Sequence, residues 1–270
     1  LLTIDVAKAF LQGMTYREIL ELTGEAERIV HFTLPRGSEK IIRMIPGYED
    51  FDEHNEVLRN TKPGTGTKDA PRAFSLKLKK VTQGPKLNMQ PSTMDPELEF
   101  RHDNGKLSGM QAKHVDDIKI GAEPWLADLI VKELEAVFGK LSIHRSTFTN
   151  CGIRNTLMPD GSVVMDQDEY IKALIPIVHP DLTGAPGDAP ATPALSKLFW
   201  SLLGALAYSM LTQHWLAVYV VSLQRSTHSA QMIHIRRLNA LVRIAQERLV
   251  KLTYPSMNCC RHVMAHSDSC

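Results

Sequence analysis

Two adjacent aspartates between short apolar stretches constrain the fold of this chain more than any other feature. Residues 113–120 have the sequence KHVDDIKI, which predicts a strand, a tight turn and a second strand with Asp116 and Asp117 at the tip. Asp5 likewise lies where a short β-rich run meets the helix-like sequence AKAFL. Three carboxylates at strand ends can hold two divalent cations about 3.5–4 Å apart, the arrangement that supports in-line phosphoryl transfer. A hydrophilic turn has the same composition, so the acidic pair alone leaves both interpretations open.

The composition is that of a chain able to bury a core. Hydrophobic residues make up 43% and charged residues 23% of 270 positions, which suffices for one core or two subdomains. No apolar run long enough for a bilayer span and no signal-peptide pattern is identified, so we expect no membrane association. Four scattered cysteines do not form a disulfide framework, which predicts an intracellular protein of the cytoplasm, the nucleus or both. Because the chain begins with leucine in mid-strand, we expect a fragment of a longer protein.

Charge is distributed unevenly, although the formal net charge is only +1. An acidic stretch comprises Glu49, Asp50, Asp52, Glu53 and Glu56. A first basic segment, opposed only by Asp69, comprises Arg59, Lys62, Lys68, Arg72, Lys77, Lys79, Lys80 and Lys86. A second basic segment, opposed mainly by Glu247, comprises Arg225, Arg236, Arg237, Arg243, Arg248 and Lys251. Each segment could neutralise phosphates, and the alternative for each is a solvated helix face.

Local patterns predict the elements around these residues. Residues 1–12 are expected to form a strand and then a helix, and Pro71 is expected to open a helix to about Lys80. The clearest helix spans residues 123–138 and is closed by Gly139. Its apolar stripe, interpreted as packing, comprises Trp125, Leu126, Leu129, Ile130, Leu134, Val137 and Phe138.

The second half of the chain is predicted to be mainly helical after a hairpin. Residues 159–161, with the sequence PDG, predict the turn of that hairpin, and a short helix is expected at 167–175. A segment rich in proline, glycine and alanine at 180–193 is the best domain boundary. The helices beyond it are expected at 195–211 and 231–252.

Six blocks of sequence follow one another along nearly the whole chain. The first three are DVAKAFLQG at residues 5–13, GTKDAPRAF at 66–74 and HVDD at 114–117. The last three are 151–171, which contain CGI, DG, Q and YI, then LGALAY at 203–208 and HSD at 266–268. In this order and spacing they resemble the reverse transcriptase of copia-type LTR retrotransposons. The first three resemble the first catalytic block, the block that positions template and nucleotide, and the Tyr-Val-Asp-Asp hairpin. The last three resemble the stretch after the palm, the connecting region and the first acidic strand of RNase H.

The resemblance implies an α+β fold: a polymerase palm with an antiparallel sheet packed on helices, followed by a helical thumb or connection region. The implied domains are the palm at residues 1–180 with its fingers largely missing, a linker at 181–194, the thumb or connection region at 195–256, and the truncated start of an RNase H-like domain at 257–270.

The resemblance also implies the site. Asp5, Asp116 and Asp117 would be catalytic and would bind two Mg²⁺ ions, or Mn²⁺, one activating the primer 3′-hydroxyl and one accompanying the pyrophosphate. Phe10 would be the bulky gate that rejects a ribonucleotide 2′-hydroxyl, with a core residue as the alternative. The implied nucleotide-binding residues are Phe10, Gly66, Lys68, Pro71 and Arg72, of which Gly66 and Pro71 shape the pocket and Lys68 and Arg72 contact phosphates.

Several positions depart from the family pattern. His114 replaces the usual tyrosine, and its charge beside the metals would change with pH. Thr65 replaces an aromatic residue, and Asp69 replaces a glutamine. The Asp69 carboxylate would repel a triphosphate unless Lys68 or Arg72 screens it. Residues 212–215, with the sequence TQHW, replace the usual Thr-Arg-Pro-Asp, and the arginine-rich fingers expected before Asp5 are absent.

These departures leave two main hypotheses. The first is an RNA-directed DNA polymerase domain that uses an RNA template, a DNA primer and deoxynucleoside triphosphates, together with the missing fingers, integrase and RNase H parts of the polyprotein. The alternative is a decayed, catalytically inactive remnant that retains nucleic-acid binding. An unrelated metal-dependent phosphotransferase is a third interpretation of the same carboxylates. A zinc site at Cys259, Cys260, His262 and His266 is disfavoured because adjacent cysteines lack the usual ligand spacing.

Overall fold

The computed structural model describes residues 1–256, which belong to two compact units. The first unit comprises Leu1–His144, and the second begins at Arg145. Each unit has its own hydrophobic core. The compact units therefore divide before the predicted linker at 181–194, and the functional domain names stay predictions. Residues 257–270, which include the predicted RNase H start and the alternative zinc site, lie outside the described residues.

The first unit contains seven complete strands, all but the last residue of an eighth, and four α-helices. The strands are β1 (Leu2–Asp5), β2 (Val30–Phe32), β3 (Leu58–Asn60), β4 (Gln90–Pro91), β5 (Leu98–Asp103), β6 (Lys106–His114), β7 (Asp117–Ala122) and β8 (Ser142–Arg145). The helices are α1 (Tyr16–Thr23), α2 (Glu39–Ile42), α3 (Ala70–Thr82) and α4 (Pro124–Phe138), and a short 3-10 helix, Ala9–Gln12, follows β1. Six strands form one sheet in the order β4-β5-β6-β7-β1-β8. The predicted strand and helix within residues 1–12 are confirmed.

One face of this sheet is apolar because buried side chains alternate along β1 and β7. Leu2 and Ile4 pair with Ile120 and Ile118 across an antiparallel register, and all four side chains are buried. The helices α3 and α4 pack on them with Phe74, Leu78, Leu126, Ile130 and Leu134. Burying each large aliphatic side chain contributes roughly 1.5–3 kcal/mol, so this layer holds the sheet on its helices.

The two long helices of this unit match their predictions closely. Pro71 and Pro124 lie in the first turns of α3 and α4. Amide hydrogens in the first turn have no acceptor within the helix, so the hydrogen that proline lacks costs no helical hydrogen bond. Gly139, with φ of 75°, ends α4. The predicted apolar stripe of α4 is too wide, because Trp125 and Val137 are exposed. The Trp125 ring instead faces the guanidinium of Arg101, 5.0 Å from the ring centroid.

A buried ion pair interrupts the apolar face beside the β6–β7 hairpin. Lys113 donates from Nζ to the carboxylate of Glu99, and the two side chains are 1% and 0% exposed. The same carboxylate accepts hydrogen bonds from Gln83 Nε2 at 2.8 Å and Gln111 Nε2 at 2.6 Å. Burial lowers the pKa of the Lys113 ammonium, and the hydrogen bond and charge of Glu99 oppose that shift. This network connects the end of α3 to β5 and β6.

The described part of the second unit contains a four-stranded antiparallel sheet and four α-helices. The strands are β9 (Thr147–Asn150), β10 (Ile153–Leu157), β11 (Val163–Asp166) and β12 (Leu252–Tyr254), in the order β12-β11-β10-β9. The helices are α5 (Asp168–Lys172), α6 (Pro193–Tyr208), α7 (Ala217–Gln224) and α8 (Met232–Glu247). The hairpin predicted around residues 159–161 connects β10 and β11, and α5 lies within the predicted short helix.

The predicted linker at 181–194 contributes to the core of the second unit. Leu182 and Ala185 pack against buried side chains of that core. Arg236 Nη2 in α8 donates to the carbonyl oxygens of Leu182 at 3.0 Å and Ala185 at 2.5 Å. Arg236 therefore holds this segment on α8, and we remove it from the candidate phosphate contacts.

One segment of the described residues, Pro193–Leu211, is long and apolar enough to cross a bilayer by length and composition alone, which the sequence analysis did not identify. Its residues Leu195, Phe199 and Leu206 are buried in the second core. A core helix passes the same test, so this single segment gives only weak support for a membrane span.

The α+β class with antiparallel sheets packed on helices is confirmed. The more specific assignment of the first unit as a polymerase palm stays a prediction.

We predict that Lys113→Met destabilises the chain by about 3–5 kcal/mol, because it leaves the buried Glu99 carboxylate without a cation. Adding Glu99→Gln to Lys113→Met should recover most of this loss, because the amide accepts hydrogen bonds without a charge. The free energies are measured by urea denaturation, with Lys132→Met at an exposed site of α4 as the control. Equal stability of Lys113→Met and the control would contradict the prediction.

Candidate active site

The candidate site is built on the register between β1 and β7. Asp5, the last residue of β1, is the direct antiparallel partner of Asp117, the first residue of β7. Directly opposed residues project to the same face with Cβ atoms about 4.5–5.5 Å apart. Because Ile4 and Ile118 point into the core, the two aspartates lie on the opposite face of the sheet. The predicted meeting of Asp5 with the hairpin is thus present in the fold.

The β6–β7 hairpin carries the third carboxylate at its tip. His114 pairs with Asp117, so Val115 and Asp116 form a two-residue turn between the strands. Val115 has φ of 58°, a region that β-branched residues rarely occupy and that stores strain. Hairpin turns of this length require positive φ at the first central position, which explains the strained valine. The turn holds Asp116 beside the Asp5–Asp117 pair.

The electrostatics of these residues suit a divalent cation. Like charges directly opposed on adjacent strands are destabilising, and Asp5 and Asp117 are such a pair. Within residues 1–256, Asp5 and Asp116 form no ion pair, whereas Asp117 has a polar or charged partner. Carboxylate oxygens are the ligands that Mg²⁺ prefers in proteins. Among residues 1–256, no cluster of three or more His, Cys, Asp or Glu side chains is arranged to hold a metal ion, so the metal-binding role of Asp5, Asp116 and Asp117 stays a prediction.

Phe10 lies in the 3-10 helix directly after Asp5 and is partly exposed. Lys8 precedes that helix with φ of 54°, and Gln12 Nε2 donates to the carbonyl oxygen of Ala7 at 2.9 Å. This turn carries the chain sharply away from the end of β1. It brings Phe10 to the same end of the sheet as Asp5.

The first two sequence blocks pack directly against one another. A Cβ on Gly13 would lie 3.0 Å from the Cβ of Ala73 and from the backbone nitrogen of Phe74. The Met14 amide donates to the carbonyl oxygen of Ala73 at 3.1 Å. A side chain at position 13 would therefore be crowded by α3, and glycine favours the close approach of the first block to this helix.

The predicted nucleotide-positioning residues lie at the start of α3. Gly66 has φ of 91° and precedes the helix in an exposed turn, a conformation that favours glycine. A cavity of about 490 Å³ joins Pro71 and Arg72 of α3 to His114 and Val115 of the hairpin. The fold thus brings the second and third sequence blocks to one surface.

Ion pairs that the sequence analysis missed neutralise part of this surface. Arg72 Nη1 donates to Glu25 Oε2 at 2.7 Å, and the hydrogen bond with Arg72 holds the pKa of the Glu25 carboxyl below its usual value. Arg28 Nη1 donates to Asp69 Oδ2 at 2.9 Å. The cation paired with Asp69 is therefore Arg28 and neither Lys68 nor Arg72, the two residues considered from the sequence. In the described part of the chain, Lys68 is exposed and has no ion pair.

The two later blocks that the structure describes, 151–171 and 203–208, also meet, but around a structural contact in the second unit. Tyr208 donates from its hydroxyl to the carbonyl oxygen of Cys151. Gly152 has φ of 69°, and a Cβ there would lie 3.1 Å from the Tyr208 ring. Tyr170 donates to the carbonyl oxygen of Ala205 at 2.8 Å. These blocks fix β10, α5 and α6 relative to one another, which accounts for their residues without a role in chemistry.

We predict that Mg²⁺ stabilises the native chain through the aspartates of β1 and β7. In EDTA, Asp5→Asn should raise the free energy of unfolding by roughly 0.2–1 kcal/mol, because the like-charge pair is removed. In millimolar Mg²⁺, the native chain should gain stability by linkage, whereas Asp5→Asn and Asp117→Asn should gain little. Urea denaturation measures both effects, and Asp50→Asn at an exposed position is the control. Equal Mg²⁺ stabilisation of all four chains would exclude these aspartates as ligands.

The chain matches no known protein family, no curated protein and no solved structure. The resemblance to copia-type reverse transcriptases therefore depends on the sequence blocks and on what their residues do in the fold.

Proposed function

We propose that this chain is the RNA-directed DNA polymerase domain of a copia-type retrotransposon, which extends a DNA primer on an RNA template. The direct pairing of Asp5 with Asp117 carries this proposal, with Asp116 at the adjacent hairpin tip. These three residues come from two sequence blocks separated by over one hundred positions, and both blocks match the polymerase pattern.

Asp5, Asp116 and Asp117 would hold the metal ions of this reaction. When bound, two Mg²⁺ ions supply Lewis-acid activation of the primer 3′-hydroxyl and neutralise charge on the departing pyrophosphate. The carboxylates act as fixed ligands that orient the reacting groups, and the strand pairing keeps two of them side by side. The strained turn at Val115 contributes by fixing Asp116 near the other two.

The incoming deoxynucleotide would lie over the 3-10 helix and the start of α3. Phe10 would exclude a 2′-hydroxyl by steric contact. Gly66 and Pro71 would shape the pocket, and exposed Lys68 would contact the triphosphate as a point charge. Arg72 already donates from Nη1 and Nη2 to Glu25, so a phosphate at these donors would compete with that carboxylate.

A second candidate function is nucleic-acid binding by a catalytically inactive remnant, and the ion pairs at α3 favour it. Asp69 stands where the family has glutamine, and Arg72 is neutralised by Glu25. The exposed Arg225, Arg243 and Arg248 could still contact phosphates without sequence preference.

We predict that the 270-residue chain binds a primer–template weakly, with affinity that falls as salt is added. Its primer extension in Mg²⁺ should lie near background, because the 270-residue chain has only four residues before Asp5 and would lack the remote contacts that a basic fingers segment makes to position the reacting phosphorus. Fusion to the fingers segment of a copia-type reverse transcriptase should restore extension. Gel-based primer extension measures the activity.

Asp116→Asn in the fused protein should abolish the restored extension while leaving primer–template binding intact. Extension that survives Asp116→Asn would overturn the catalytic assignment. A fused protein that binds but never extends would favour the inactive remnant, and robust extension by the unfused chain would contradict the argument from the fingers.

We predict that Phe10→Ala in the fused protein relaxes discrimination against ribonucleotides while deoxynucleotide insertion is partly retained. Phe10→Tyr is the matched control, because it keeps the bulk of the ring and should keep the discrimination. Single-nucleotide insertion kinetics with paired deoxy- and ribonucleotides measure the ratio of kcat/KM values. An unchanged ratio in Phe10→Ala would return this residue to its alternative role in packing.

A further inference from the structure

The helix α7 in the second unit is apolar on sides that no helix or strand of the described residues covers. Its sequence, AVYVVSLQ, contains no charged residue, yet only Val220 and Leu223 are buried. Val218 is 77% exposed, and Tyr219 and Val221 are also exposed. A helix that is hydrophobic all round is normally enclosed, and a contiguous exposed apolar patch marks an interaction site.

A groove between α7 and α8 begins at Tyr219, on another side of α7 from Val218 and Val221. It has a volume of about 590 Å³, and Trp215, Leu223, Leu241 and Ile244 form its apolar lining. Trp215 Nε1 donates to Gln213 Oε1 at 3.2 Å, so the indole ring is held in position. Grooves between helices with a preformed apolar floor suit the apolar stripe of an amphipathic helix.

The charges at this groove are mainly positive. Arg237 and Arg248 line it together with a single acid, Glu247. Both arginines are exposed, and neither forms an ion pair within the described residues. An occupant with acidic residues beside its apolar stripe would complement both the floor and the rim.

We propose that the groove between α7 and α8 is a docking site for an acidic amphipathic helix of a partner protein. The aliphatic lining of Leu223, Leu241 and Ile244 favours a protein over a nucleic acid, because aliphatic surface gains little from contact with bases or phosphates. Trp215 and Tyr219 pack edge to face, with centroids 6.4 Å apart and planes at 73°, which leaves less ring face for base stacking. The proposal does not depend on polymerase activity.

The test uses the full chain and a fluorescent synthetic helix with leucines at i, i+3, i+4 and i+7 and glutamates beside that stripe. Fluorescence anisotropy should show binding, and a peptide with lysines in place of the glutamates should bind roughly tenfold more weakly. Ile244→Asn should weaken binding of the acidic peptide roughly tenfold by removing an apolar contact. Val137→Asn, at 41% exposure against 40% for Ile244, is the matched control and should bind normally.

Arg237→Gln should reduce the preference for the acidic peptide, whereas Arg243→Gln, on α8 but outside the groove lining, should leave it unchanged. Circular dichroism checks that every variant is folded. Unaltered binding in Ile244→Asn would overturn the proposal. The proposal would also be overturned if a single-stranded oligonucleotide bound at Ile244 and Arg237 while the peptide did not. Self-association of the chain that Ile244→Asn abolishes would overturn it as well.

Discussion

The structure of the first unit depends on the antiparallel register between β1 and β7. Side chains alternate between the two faces of a strand, so the pairing of Ile4 with Ile118 in the core fixes the pairing of Asp5 with Asp117 on the open face. A shift of one residue would bury two carboxylates and expose two isoleucines. The free energy of core burial is therefore what holds the acidic pair together against its own repulsion.

The hairpin that completes the candidate site has a second anchor. Lys113 lies opposite Ile118 on the core face, where it pairs with Glu99 and, through that carboxylate, contacts Gln83 at the end of α3. Apolar packing holds β7, while a buried polar network holds β6. The strained turn at Val115 lies between these two anchored strands, which explains how its unfavourable backbone conformation is maintained.

The sequence predicts the elements of this site better than it predicts their electrostatics. Local signals were sufficient for the hairpin at Asp116, for α3 after Pro71 and for α4 before Gly139, because each depends on neighbouring residues. The ion pairs of Arg72 with Glu25 and of Asp69 with Arg28 join residues over forty positions apart. Charge composition alone cannot assign such partners, and the charged residues after Gly24 were the only signal. The exposed Trp125 shows a similar limit of prediction from sequence. Helical spacing indicates which face of α4 is apolar, but it does not indicate how much of that face is buried.

The pair formed by Arg72 and Glu25 makes anion binding at α3 an exchange reaction. A phosphate that binds the two nitrogens held by Glu25 has to displace this carboxylate, so the gain in free energy is a difference between two similar interactions. The displaced Glu25 belongs to the loop that also holds Asp69 through Arg28. Binding of a ligand to Arg72 and attachment of this loop to α3 therefore oppose one another. The loop is thus an intramolecular competitor of the ligand.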